Sequence, residues 1–182
     1  MSTNTASRHT MIAWVEDKPG VLTRISGLFG RRNFNIESLT VGHTEKPGVS
    51  RMTFVVRGDR RDIQQVRSQL YKLINVLEVE DVTNEPHVEY EMALIRVRAD
   101  RTTRGEIMQL VTIYRADVVD VDLDSVIIRI VANESRVNAL LRLLRQFGIE
   151  EMVRTGRVAM LRGSAVSEKE EAAVSENGQT VY

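Results

Sequence analysis

The chain has 182 residues, and its 25 Lys plus Arg balance 25 Asp plus Glu, so the formal net charge is zero. That balance argues against a chain built mainly to grip nucleic acid or an anionic membrane. With no cysteine in the sequence, disulfides, thiolate metal sites and a cysteine nucleophile are excluded outright.

Residues 1–8 are polar and small and are expected to be a flexible, frayed start. His9 to Val15 reads as a strand, which Pro19-Gly20 breaks. A helix follows to about Arg32, its apolar face made by Val21, Leu22, Ile25, Leu28 and Phe29 at i, i+3, i+4 spacing. Phe34 to Val41 reads as a second strand, and Gly42 to Val49 as a loop turning on Pro47-Gly48. Ser50 to Arg57 is a third, in which Met52, Phe54 and Val56 alternate with Arg51, Thr53 and Val55; the short connection predicts a hairpin. Asp59 is a good N-cap for a helix that buries Ile63, Val66, Leu70 and Leu73, and Val76 to Val82 closes the set as a strand.

The same order then repeats. Tyr90 to Val97 reads as a strand, and Thr103-Arg104-Gly105-Glu106 fits a capping box opening a helix that buries Ile107, Leu110, Val111 and Tyr114. Asp117 to Val121 and Ser125 to Val131 are strands around a Leu123-Asp124 turn, and Asn133 to Arg145 is a helix with Val137, Leu140, Leu141 and Leu144 on one side. Gly148 ends it, Ile149 to Arg154 is a strand, and Val158 to Leu161 adds one more. The fold class is α+β: two ferredoxin-like βαββαβ domains, 9–83 and 89–162, joined by a linker at 84–88. The tail 163–182, rich in Ser, Glu, Ala and Gly, is expected to be disordered. Each half has a bare sheet face whose cover would enlarge a small core, so a homo-oligomer is expected. No apolar run approaches the roughly 20 residues that span a bilayer, and the polar start lacks a signal-peptide core, so a cytoplasmic chain is expected.

Few residues offer chemistry. His9, His43 and His87 sit in the frayed start, a loop and the linker without ligand spacing and read as solvated, so no metal is expected. No nucleophile elbow, dinucleotide fingerprint or P-loop is present. RNA-recognition modules share the βαββαβ order, but Ser50-Arg51-Met52-Thr53-Phe54-Val55-Val56-Arg57 lacks their exposed aromatics. What remains is the turn Asp17-Lys18-Pro19-Gly20-Val21-Leu22. Asp17 can cap the first helix, Gly20 keeps the backbone open to close approach, and amides at a helix start attract a carboxylate beside Val21 and Leu22. The same turn also reads as a plain strand-to-helix connection with a good cap.

Asp17-Lys18-Pro19-Gly20-Val21-Leu22 resembles the opening signature of ACT domains, which bind amino acids and regulate metabolic enzymes. More narrowly, Leu28-Phe29-Gly30-Arg31-Arg32-Asn33-Phe34-Asn35-Ile36-Glu37-Ser38-Leu39-Thr40-Val41 resembles the small regulatory subunit of acetolactate synthase, also called acetohydroxyacid synthase; Ser50-Arg51-Met52-Thr53, Ala116-Asp117-Val118-Val119-Asp120-Val121 and Phe147-Gly148-Ile149 continue the likeness over about residues 8 to 163. The resemblance implies an N-terminal ACT domain that dimerises and a non-catalytic chain without a cofactor of its own. It implies a catalytic (large) subunit as partner, carrying thiamine diphosphate, Mg and FAD, whose activity this chain raises and makes sensitive to valine in branched-chain amino-acid biosynthesis. By position, the effector contacts would be Asp17, Gly20, Val21 and Leu22 from the turn, with Asn35 and Ile36 from the second strand. Many relatives have Asn at the place of Asp17; a carboxylate there would repel the effector's carboxylate and pair with its ammonium. The alternative is a stand-alone ACT-domain amino-acid sensor without an enzyme partner.

Overall fold

The computed structural model describes residues 7–32 and 34–163; the expectations for residues 1–6 and 164–182 fall outside the described residues. The chain forms two compact units, one of residues up to Val88 together with those from Ala159, the other Glu89–Val158.

In the first unit, β1 (Ser7–Glu16), α1 (Val21–Arg31), β2 (Ile36–His43), β3 (Val49–Gly58), α2 (Arg60–Leu70) and β4 (Val76–Asp81) build an antiparallel sheet of order β2-β3-β1-β4. The predicted β2–β3 hairpin is present, and Gly48 takes a left-handed φ of 78° in its turn. β2 begins two residues after the predicted Phe34, because the Phe34 N–H returns to the Phe29 carbonyl and folds its ring edge-on against Phe29. Asp59 caps α2 as expected, in a capping box: its carboxylate accepts from the Arg61 and Asp62 amides, and Asp62 accepts from the Asp59 amide. α2 stops at Leu70, so Leu73 packs from the turn beyond it.

The helices cover one sheet face. Met11, Ala13, Val15, Met52, Phe54 and Val56 meet Val21, Ile25, Leu28, Phe29, Ile63, Val66 and Leu70. Phe29 and Phe54 meet edge to face at 5.4 Å; burying such a ring is worth about 1.5–3 kcal/mol and the pairing about 0.5–1.5 more. The other face, expected to need a second copy as cover, is covered in part by the chain itself. Ala159 joins Ile12 and Val82 in a small cluster flanked by Trp14 and Leu161. Arg51 stacks 4.8 Å from the centre of the Trp14 ring and donates to the Ala159 carbonyl at 2.6 Å. Burial lowers the Arg51 pKa from its ordinary value, and the Glu80 and Glu45 charges partly restore it. At the outer edge of β4, the Tyr71 hydroxyl donates to the Val79 carbonyl and accepts from the Val79 N–H, both at 3.2 Å.

The second unit holds most of β5 (His87–Arg98), with α3 (Arg104–Tyr114), β6 (Asp117–Val121), β7 (Ser125–Ala132), α4 (Glu134–Leu144), a 3-10 turn at Arg145–Phe147 and β8 (Ile149–Arg154). Its strands run β6-β7-β5-β8, and β9 (Val158–Leu161) pairs with β5. Ala93, Ile95, Val97, Val126, Ile128 and Ile130 pack on Ile107, Val111, Val137, Leu140, Leu141 and Leu144. Asn133 caps α4 through the Arg136 amide. The capping box predicted at Thr103 does not form. Thr103 has helical backbone angles and makes no side-chain cap bond. Asp100 does the capping instead, accepting from the amides and hydroxyls of both Thr102 and Thr103.

Candidate functional site

The turn after β1 is built from backbone. The Asp17 amide donates to the Gly48 carbonyl at 2.8 Å, the Lys18 amide to Glu16, and the Val21 amide to Lys18 at 3.3 Å. Gly20 is the N-cap of α1 with φ 84° and ψ −5°, and no side chain caps the helix. A Cβ at Gly20 would meet nothing within 4 Å, so it is the left-handed backbone, not lack of room, that calls for glycine. Asp17 was expected as the cap and is not. Its own amide is pinned to the β2–β3 turn, and its carboxylate turns to His43 at the end of β2, Oδ2 to Nδ1 3.2 Å.

A network missed by sequence reading braces this turn. Buried Asn75 accepts from Arg24 on α1 at 2.7 Å, donates through its side-chain amide to the Glu16 carboxylate, and takes the Glu16 N–H on its backbone carbonyl. Glu16 also pairs with Lys18 at 3.0 Å. The hydrogen bonds from Asn75 and then Lys18 hold the Glu16 carboxyl below its ordinary pKa. The one available signal was a polar residue inside the apolar run Leu73-Ile74-Asn75-Val76.

The remaining site residues divide. The Val21 side chain is core, 5% exposed, whereas Leu22 is 47% exposed beside it. Asn35 is exposed and Ile36 half-buried. These two stand at the other end of the sheet. Ile36 is level with Val56 and through it with His9, whereas the turn follows Glu16, which pairs with Val49. Seven strand positions separate the two levels, about 23 Å.

The histidines are less solvated than expected. His9 lies in β1 with its Nδ1 2.9 Å from Asp81, and the His87 Nδ1 lies 2.7 Å from the Glu85 carbonyl; His43 is exposed. Among the described residues no group of His, Cys, Asp or Glu is arranged to hold a metal ion, and no helix is long and apolar enough to cross a membrane.

Residues 90–163 match the family described as the small subunit of acetolactate synthase, and residues 11–78 match the AHAS small subunit-like ACT domain. The chain belongs to the acetolactate synthase small-subunit family. It is 54% identical over 157 residues to a probable acetolactate synthase small subunit of Archaeoglobus fulgidus, covering 86% of this chain and 98% of the relative. It is 47% identical over 151 residues to the Bacillus subtilis acetolactate synthase small subunit, covering 82% and 88%. The crystal structure of the Thermotoga maritima acetolactate synthase small subunit superposes with a TM-score of 0.80 at 45% identity, covering 86% of this chain and 98% of that one. The α+β class with two βαββαβ units, the first an ACT domain, is thereby the fold of this family member.

Proposed function

We propose that this chain is a homodimer joined through its ACT domains, that it raises the activity of the acetolactate synthase catalytic subunit, and that valine bound at the dimer interface reverses the stimulation. The register of the first sheet carries the reading. In one chain the Gly20 turn and Asn35 stand at opposite ends of the sheet, yet β2 is an edge strand. Two β2 edges meeting antiparallel about a two-fold axis bring Asn35 of one protomer to the Gly20 turn of its partner. One site is then made by two chains, and the effector senses how they are paired.

The roles follow from the chemistry. Amides at the uncapped start of α1 take the valine carboxylate. Leu22 offers apolar surface, and Val21, its side chain in the core and its amide turned to Lys18, holds the turn in place. Asp17 faces the ammonium, and Asn35 and Ile36 close the site from the partner. Burying a Val-sized side chain is worth about 1.5–3 kcal/mol, and each hydrogen bond to a charged group about 1.5–3. After association costs, a net of about −4 to −6 kcal/mol corresponds to roughly millimolar to tens of micromolar affinity. That range suits sensing of an end product. Two arrangements of the dimer, one favoured by the catalytic subunit and one by valine, make the coupling reciprocal.

Acetolactate formation from pyruvate by the cognate catalytic subunit tests the reading, measured alone, with this chain, and with valine titrated in. Stimulation reversed by valine is the expected result. No stimulation, with both proteins folded, favours the stand-alone sensor instead.

A further inference from the structure

The structure assigns a second surface to this chain, and it rests on the regulatory-subunit reading above: we propose that the end of the ACT helix layer carrying Arg31, Arg32, Arg60 and Arg61 docks an acidic surface of the catalytic subunit. The four arginines share one end of the unit. α1 starts beyond the Glu16–Val49 end of the sheet and finishes at Arg31, just before β2 opens at the level of Val56 and His9. α2 starts two residues after Gly58, which pairs with Ser7 at that same end. All four side chains are exposed, and none has an ion-pair partner among the described residues.

Two observations separate this cluster from an ordinary solvated face. Arg60 and Arg61 occupy the first turn of α2, where the helix dipole disfavours a cation. The nearby acids do not answer them, because Asp59 and Asp62 point at each other's backbone in the capping box. The second unit also exposes Arg101, Arg115, Arg142 and Arg145 without an ion pair among the described residues, but they are not set in the first turn of an α-helix, and its other arginines are largely matched. Arg96, Arg129 and Arg154 are matched to Glu151, Asp117 and Glu91, and Arg157 lies between Glu89 and Glu134. In a chain of zero net charge, four uncompensated arginines gathered at one end, two of them against a helix dipole, set up a local field that complements an acidic partner. That end lies away from the Gly20 turn of the same chain and beside Asn35, so a partner seated there adjoins the site that the dimer reading completes with the other protomer's turn.

The test is the concentration of full-length chain that half-saturates stimulation of the catalytic subunit. Arg60→Glu with Arg61→Glu puts acids where a helix start favours them, so the variant should fold at least as stably as the natural chain. Its half-saturating concentration should rise by about tenfold or more. For the natural chain that concentration should climb steeply with added salt, and for the variant only weakly. Arg31→Gln with Arg32→Gln should give a smaller rise, and Arg142→Glu on α4 none. An unchanged half-saturating concentration in the double Glu variant, beside a natural chain that does stimulate, overturns the assignment. So does loss of labelled RNA or DNA retention with stimulation intact, which would give the face to nucleic acid. Failure of the natural chain to stimulate overturns the regulatory reading itself, and is thereby told apart.

Discussion

The two units place a strand-to-helix turn at the same point of the βαββαβ order and fill it in opposite ways. In the second unit, Asp100 bends back and supplies the carboxylate: two amides and two hydroxyls converge on one of its oxygens. Arg104 then ties the carbonyls of Ala99, Asp122 and Leu123 together over the same turn. In the first unit, a left-handed glycine opens α1 with no side-chain cap, and the Asp17 carboxylate is drawn off to His43. A helix start asks for an acceptor in either unit. The second answers from its own sequence, and the first has no side-chain acceptor there. One fold thus closes one helix start and leaves the other open, and the difference lies in where a single acid sits.

Making the first turn resemble the second should have the largest effect. Gly20→Asp puts a carboxylate at the helix start in place of the effector's. It should raise the valine concentration for half inhibition about 10- to 100-fold, with stimulation retained, in the acetolactate assay. Gly20→Ala introduces only backbone strain, since a Cβ meets nothing there, and should give a smaller shift in the same direction. Full valine sensitivity in Gly20→Asp would show that the effector binds elsewhere. Opening the second turn is the converse experiment. Asp100→Ala should lower the thermal midpoint by a few degrees and leave valine sensitivity alone; a change in sensitivity would show that the second unit takes part in effector binding.

Acid should sharpen the same contrast. Hydrogen bonds from the Thr102 hydroxyl, the Thr103 amide and hydroxyl and the Thr102 amide hold the Asp100 carboxyl far below its ordinary pKa. A depressed folded pKa gives stability that is fully present above the unfolded value, about 3.9, and is lost as pH falls from there toward the folded value. Asp100→Asn should therefore be less stable than the natural chain at neutral pH, and the gap should narrow as pH drops below about 4. A gap independent of pH would mean that the charge of Asp100 contributes nothing. The smallest expected change is Asp59→Ala, which removes an ordinary cap at a cost of about 1 kcal/mol by chemical denaturation and leaves stimulation by valine-free chain intact.

Periodicity made the architecture legible, and the limits of periodicity mark what it hid. Asp117–Val121, Ile149–Arg154 and Val158–Leu161 stand where alternation and breakers put them, and α4 buries the four residues its spacing named. Caps were harder to read. Asp17 and Thr103 have the right chemistry at the right distance from a helix, but the backbone of the preceding turn decides which oxygen is aimed at the amides. The Glu16–Asn75 bond joins residues 59 positions apart, beyond any local pattern. Of the candidate site, Gly20 was readable from the turn itself. Asn35 and Ile36 came from family resemblance alone, and only the strand register reveals that they stand far from the turn within one chain.

The Tyr71 hydroxyl on the outer edge of β4 bears on how many copies can join. A sheet with two free edges can be extended from either side without limit, each added copy offering the next a fresh edge. Here one side is stoppered at its middle, since both main-chain groups of Val79 are already satisfied by a phenol from the same chain. Addition across β2 uses up the other side in both participants at once. On the pairing proposed through β2, one aromatic residue thereby bears on stoichiometry: association along this sheet would end at a pair, and the fibre that bare strands invite would have no place to grow.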